Sequence, residues 1–258
     1  MADLNEQLAP WSILRSRIDT FRRIPDLLSG HPSEADAVLQ LLATVVGPET
    51  DGQLECGLLW KAGSDDLATA IFVGNRWAIT ALHCVLDGAG CDYHVTLPAN
   101  VTTDLHPKNS FHVMETFAAP GGIDAALLNL GTGLAPVVER PTIASAQEMQ
   151  QANSVRICGF GSSNCQNSAG AGRKRISGNL TLATDPTDSA NFFLANNGSE
   201  TPVTCPSDSG GAVYLSAGGK IAGLVSQTIT TPGQNTVTRC VGIAPLLPWI
   251  FSTTGLTF

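Results

Sequence analysis

The sequence predicts an all-β protein of two six-stranded barrels in tandem, preceded by a helical N-terminal extension. Three observations carry that expectation. From about residue 54 onward, short runs rich in Val, Ile, Thr and Phe alternate with turns built on Gly, Pro, Asn and Asp, the pattern of a sandwich or barrel. A stretch of weak patterning near residues 131–153 divides the runs into two groups of roughly six. Apolar residues make up 43% of the 258-residue chain and charged residues only 14%, so each half can bury a sizeable core.

The extension comes first. Leu4, Leu8, Trp11, Leu14, Ile18 and Phe21 recur at spacings of three and four, one face of an amphipathic helix that should end near Pro25. Ser33 with Asp36 three residues on gives a capping pattern for a second helix through Val38, Leu41, Leu42 and Val45, stopped by Gly47 and Pro48. Residues 1–50 are thus expected as a helical unit that packs on residues 51–258 or serves as a docking arm for a partner, a pro-segment or a membrane-surface arm.

In the first half, strands are expected at 68–73, 77–81, 93–97, 111–117 and 125–130. In the second half they are expected at 154–160, 180–183, 191–194, 211–215, 220–227 and 236–243. Pro245-Leu-Leu-Pro-Trp-Ile250 reads as a short closing helix.

A net charge of −8 argues against nucleic acid as a partner, because phosphate binding needs a clustered positive surface. The one basic run, Arg173-Lys174-Arg175, reads as a solvated loop. No run approaches the apolar length of a membrane span. Asp3 and Glu6 stand where a secretory leader carries positive charge, so a cytoplasmic location or a non-classical export route is expected. The seven cysteines allow the pairs Cys84–Cys91, Cys158–Cys165 and Cys205–Cys240, with Cys56 left over. Cys84, Cys91, His94, His106 and His112 are metal ligands by type, but no second compact pair completes a four-ligand set, and no metal or cofactor is expected.

Acyl transfer by serine needs a nucleophile, a base and a buried carboxylate to orient the base. His83 ends the apolar run Trp77-Ala-Ile-Thr-Ala-Leu-His83, Asp124 directly precedes the apolar run Ala125–Leu130, and Ser209 lies in the glycine-flanked turn Ser207-Asp-Ser-Gly-Gly211. These three are the candidate catalytic residues.

In that order, Thr80-Ala-Leu-His-Cys84, Asp124-Ala-Ala-Leu-Leu128 and Ser207-Asp-Ser-Gly-Gly211 resemble the three motifs of the chymotrypsin/trypsin family of serine peptidases. Cys158-Gly-Phe-Gly161, Gly223-Leu-Val-Ser-Gln227 and Trp249-Ile250 extend the resemblance over about residues 55–255.

The resemblance implies a chymotrypsin-like fold and a protein or peptide substrate. It makes Ser209 the nucleophile, His83 the base and Asp124 its orienter, with Ser226 bonded to Asp124. The backbone N–H groups of Ser207 and Ser209 would form the oxyanion hole, where the family has glycine in place of Ser207. The family frees an Ile-Val-Gly-Gly terminus to pair with the aspartate before the nucleophile. Here only Val45-Val-Gly-Pro48 resembles it, so Asp208 is expected to use Arg156 or one of Arg173–Arg175. The family pattern also implies a Cys205–Cys240 bridge. By the same correspondence Val203, Thr204, Ser226 and Thr228 would form the substrate pocket, with Thr238 at its back. A pocket floored by Val203 implies preference for small or medium uncharged residues. An inactive relative kept as a binding module is the alternative.

Overall fold

The computed structural model describes residues 53–86, 92–96, 110–131, 140–162, 171–184, 190–195, 204–229 and 237–258. The helices expected in residues 1–50 lie outside these, as do Cys91, His106, Cys165 and Val203. Among the described residues no helix is long and apolar enough to cross a membrane.

Among the described residues, two antiparallel sheets of seven strands each make up the fold. The first holds β1 (Cys56–Lys61), β2 (Leu67–Gly74), β3 (Trp77–Thr80), β4 (Tyr93–Thr96), β5 (Phe111–His112), β6 (Glu115–Ala118) and β7 (Ala126–Asn129), in the order β5-β4-β1-β2-β3-β7-β6. The second holds β8 (Ser154–Gly159), β9 (Arg175–Ile176), β10 (Leu180–Thr184), β11 (Asn191–Ala195), β12 (Ala212–Leu215), β13 (Ile221–Ile229) and β14 (Val237–Gly242). Its order is β10-β11-β14-β13-β12-β8-β9, and a β10–β8 pairing closes six of its strands into a ring. In each sheet six strands have four residues or more, and β5 and β9 are two-residue additions at an edge. Two barrel-like sheets with few helices agree with the chymotrypsin-like architecture.

Strands β1, β2, β3 and β7 of the first sheet are buried on both faces, which explains their near-continuous apolar runs. Leu58, Ile71, Ile79 and Leu127 join a cluster with Phe160, Tyr214, Leu224 and Val241 of the second sheet. Their chain neighbours Leu59, Phe72, Ala78 and Leu128 form a separate cluster with Tyr93 and Val95. Successive side chains point to opposite faces of a strand, so one sequence run supplies both cores. A third cluster, with Val155, Leu194, Val213 and Cys240, belongs to the second sheet.

β9 falls where no strand was expected, and three further elements depart from expectation. β1 was not anticipated, because Cys56-Gly-Leu-Leu-Trp-Lys61 carries no β-branched residue. The single strand expected at 111–117 is two: Val113 N–H bonds Tyr93 O while Met114 N–H bonds Asn129 O, so the chain changes partner from β4 to β7 at that step. The weakly patterned connection holds α1 (Ala146–Gln151), started by a capping box between Ser145 and Glu148. The closing helix is α2 (Leu247–Thr254), with Ile250 buried beneath it.

Candidate active site

Strand register brings two of the candidate residues together. β3 pairs with β7 so that Thr80 faces Ala126, which sets the end of β3 beside the start of β7. His83 follows β3 in a 3-10 turn (Leu82–Val85), and Asp124 precedes β7 after a second such turn (Pro120–Gly122). His83 Nδ1 lies 2.8 Å from Asp124 Oδ2, and the His83 backbone N–H donates to Asp124 Oδ1 at 3.0 Å. Ser226 Oγ donates to Asp124 Oδ2 at 2.6 Å. Ser226 sits where the β13–β14 register shifts between Val225 and Gln227, and such a bulge re-aims a side chain. A carboxylate only accepts, so the proton between His83 and Asp124 sits on Nδ1, and in the neutral imidazole Nε2 keeps its lone pair.

The pairing sets the electrostatics. The hydrogen bond to Asp124, with a further one to Cys84, pushes the His83 pKa up to about 10. Burial alone would raise Asp124, but hydrogen bonds from His83 and Ser226 outweigh it and bring Asp124 down to about 2. A raised histidine contributes stability below its ordinary 6.5 and loses it as pH climbs through about 10. A lowered aspartate contributes above its ordinary 3.8 and loses it as pH falls through about 2. A base must be neutral to accept a proton, so kcat/KM is expected to rise with pH and reach half its plateau well above 6.5, the ordinary histidine value. A pH–rate profile on an uncharged peptide substrate checks this, and a half-rise at or below the ordinary value would contradict it.

Ser209 lies in the loop before β12, held against β13 by Gly210 N–H to Val225 O and Val225 N–H to Gly211 O, both 2.8 Å. Its Oγ is directed at Ser226 O, 3.5 Å away. Gly210 has φ +81, and a Cβ there would meet Thr69 O at 2.0 Å, so no other residue fits. Ser207, two residues before the candidate nucleophile, has φ 77. It therefore adopts the left-handed conformation that its Cβ disfavours by about 1–2 kcal/mol.

Asp208, 1% exposed, anchors this loop from beneath. Its Oδ1 accepts the Gly161 N–H at 2.7 Å and its Oδ2 the Cys205 N–H at 2.9 Å. Gly161 is required, since a Cβ there would lie 2.2 Å from the Asp208 carboxyl. Burial raises the Asp208 pKa to about 6, opposed by the two N–H bonds and by the charge of Arg175. Arg175 is thus the cation near Asp208, while Arg156 bonds Ser177 O and Lys174 bonds Gln53 O. The basic run expected as a solvated loop is largely interior: Lys174 is 1% and Arg175 7% exposed.

Two clefts meet at His83 and Ser209. One, of about 680 Å³, is lined by Thr204, Pro206, Ser226, Gln227, Thr228 and Arg239 among others. The other, of about 320 Å³, runs along Trp60, Lys61, Asp66 and Tyr93. Three threonines meet in hydrogen bonds beside the larger cleft: Thr204 Oγ1 lies 2.5 Å from Thr228 Oγ1 and 2.8 Å from Thr238 Oγ1. The structure thus gathers Thr204, Ser226 and Thr228 at one cleft and places Thr238 behind them. Arg239, absent from the residues named by sequence, joins them because it stands opposite Gln227 across β13–β14.

Other expectations are corrected. Cys84, Cys158 and Cys240 are free thiols, so none of the pairs Cys84–Cys91, Cys158–Cys165 and Cys205–Cys240 forms. Cys240 lies in the core of the second sheet with Val225 and Phe192. Cys56 is also a thiol and donates to Cys158 O at 3.5 Å, from one sheet to the other. Of the metal-ligand candidates, the three described ones lie in two places. Cys84 contacts His83, whereas His94 and His112 turn their Nε2 atoms to Asp92 Oδ1, at 2.7 and 3.1 Å.

The family model for trypsin matches residues 48–250. The chain belongs to the trypsin family. Comparison with curated proteins finds no match. Membership places the chain in a family of serine peptidases, and the two barrel-like sheets agree with it.

Proposed function

We propose that this trypsin-family chain is a serine endopeptidase in which Ser209 attacks the scissile carbonyl, His83 relays the proton and Asp124 holds the imidazole. The observation that carries the reading is the Asp124 carboxylate, bonded at once by His83 Nδ1 and Ser226 Oγ, beside a serine set between two clefts. His83 Nε2 would accept the Ser209 proton as the C–O bond forms, then pass it to the leaving amine. The Ser207 and Ser209 N–H groups would stabilise the oxyanion, each by on the order of 3 kcal/mol. Water then repeats the sequence on the acyl-enzyme, with His83 again as base. Arg175 would balance Asp208 and keep the loop in place, the role a freed terminus plays elsewhere in the family.

The larger cleft favours a small or medium uncharged residue on the acyl side of the bond, such as Ala, Val, Thr or Leu. By the family correspondence the floor position falls at Val203, which has no carboxylate, and Asp124, the one carboxylate among the described lining residues, is already engaged. Arg239 adds positive charge at the cleft, and a Lys or Arg side chain buried there without a partner would cost several kcal/mol. The threonine trio narrows the pocket, and one methylene discriminates by only about 1–3 kcal/mol, so preference among the small residues is shallow. Profiling with a peptide library is expected to return cleavage after these residues. Dominant cleavage after Lys or Arg would overturn the specificity.

A second reading, an inactive relative that binds without cleaving, is favoured by two details: Ser207 in place of glycine, and Ser209 Oγ directed at Ser226 O. Catalytic hydrogen bonds often tighten only with substrate bound. Turnover of any peptide substrate by the wild-type chain, lost in a Ser209 variant, separates the two readings.

A further inference from the structure

Thr69 lies within β2 and has no exposed surface. Threonine is ordinary in a strand, but a buried hydroxyl must find hydrogen-bond partners, and its partners belong to the other sheet. Thr69 Oγ1 donates to Ser207 O at 3.0 Å and accepts the Phe160 N–H at 3.1 Å. Its backbone N–H donates to Ser209 O at 2.9 Å, and its own carbonyl accepts Thr80 Oγ1 at 2.7 Å. One residue of the first sheet therefore grips, through their carbonyls, both residues whose N–H groups point toward the reacting carbonyl in the proposed reaction. The close approach is built in: Gly210 lies so near that a Cβ would overlap Thr69 O.

The side-chain bond matters because of where it ends. Ser207 has φ 77, a conformation that a residue with a Cβ leaves readily unless something holds it. Its C=O and N–H flank one Cα, so fixing the carbonyl restricts the rotation that would turn the N–H away. We propose that Thr69 is a positioning residue for the oxyanion hole, its hydroxyl holding Ser207 in the left-handed conformation that glycine would adopt unaided. This rests on the peptidase reading above. Thr69 touches no reacting atom and acts through Ser207.

The test uses the full-length chain as wild type, Thr69→Val, Thr69→Ser, Ser207→Gly and the double variant Thr69→Val/Ser207→Gly. kcat, KM and thermal unfolding are measured with a peptide substrate bearing alanine on the acyl side. Thr69→Ala replaces the valine variant should that one not fold. Thr69→Val is expected to lower kcat by about tenfold or more, with KM within about twofold, less than the hundredfold or greater loss on deleting a hole donor outright. Thr69→Ser keeps the hydroxyl and is expected to stay within about threefold of wild type. Ser207→Gly is expected to raise kcat in both backgrounds, and by more in Thr69→Val, since glycine needs no restraint.

Loss of the Phe160 partner lowers the unfolding temperature whether or not Thr69 positions the hole, so the split between kcat and KM and the non-additivity with Ser207→Gly decide. An active wild type with unchanged kcat in Thr69→Val, an equal loss in Thr69→Ser, or strict additivity with Ser207→Gly overturns this inference alone. A wild type inert toward both substrate and an active-site phosphonate overturns the peptidase reading, and this inference with it.

Discussion

Replacing Ser209 by alanine is expected to lower turnover by about six orders of magnitude, to the background left by binding and the oxyanion donors. The fold should not change, because the hydroxyl makes one long contact, to Ser226 O at 3.5 Å, a weak bond whose loss costs little. The size of the loss follows from the roles assigned: without the nucleophile, His83 and Asp124 have no proton to move, and the two residues act only as a unit with it. Steady-state hydrolysis with a circular-dichroism spectrum of each protein measures both parts. Wild-type turnover in Ser209→Ala would mean that another group carries the reaction.

Asp124→Asn is expected to cost about four orders of magnitude in kcat, although the side chains are nearly isosteric. Asp124 accepts three hydrogen bonds: the His83 N–H on Oδ1, and His83 Nδ1–H with Ser226 Oγ–H on Oδ2. Asparagine offers one acceptor and one donor group. With its oxygen at the Oδ2 position, its NH2 opposes the His83 N–H. With the oxygen at Oδ1, its NH2 meets Nδ1 and forces the proton to Nε2, the atom that must act as base. Either arrangement removes the anion that raises the His83 pKa to about 10. The variant is therefore expected to lose turnover and to shift its pH–rate profile to lower pH. Loss of turnover with the profile unmoved would contradict the role given to Asp124.

The placement of the candidate residues was legible because they stand in short contiguous segments. His83, Asp124 and Ser209 each lie at the mouth of a strand, and the registers of β3 with β7 and of β12 with β13 carry them to one place. Ser226 was legible for the same reason. Thr69 was not: a single threonine inside Leu67–Gly74 has the look of any β-branched strand residue, and its meaning comes from what the other sheet lays against it. Arg239 was missed because it reaches the cleft through its cross-strand neighbour Gln227, a relation that sequence distance hides.

The cysteine pairs failed on the same ground. Spacing suggests which cysteines are near in sequence, whereas a bridge depends on where side chains point, and Cys240 lies in a core. Arg175 shows the opposite case. Three adjacent basic residues read as a surface run, yet two of them are buried, Arg175 with its charge near Asp208 and Lys174 bonded to Gln53 O. At 111–117 the composition was right for a strand, and only the change of partner between Val113 and Met114 divides it.

The most direct test of the central claim is reaction of the purified chain with a fluorophosphonate, read by intact mass and then by peptide mapping. Phosphonylation requires a serine made nucleophilic by its neighbours, so it reports the chemistry without knowledge of the natural substrate. The expected result is one adduct per chain, on Ser209, with its rate falling sharply in the Asp124→Asn variant. No adduct on the folded wild-type protein, or an adduct on a different serine, would contradict the assignment of Ser209, His83 and Asp124 as a catalytic unit.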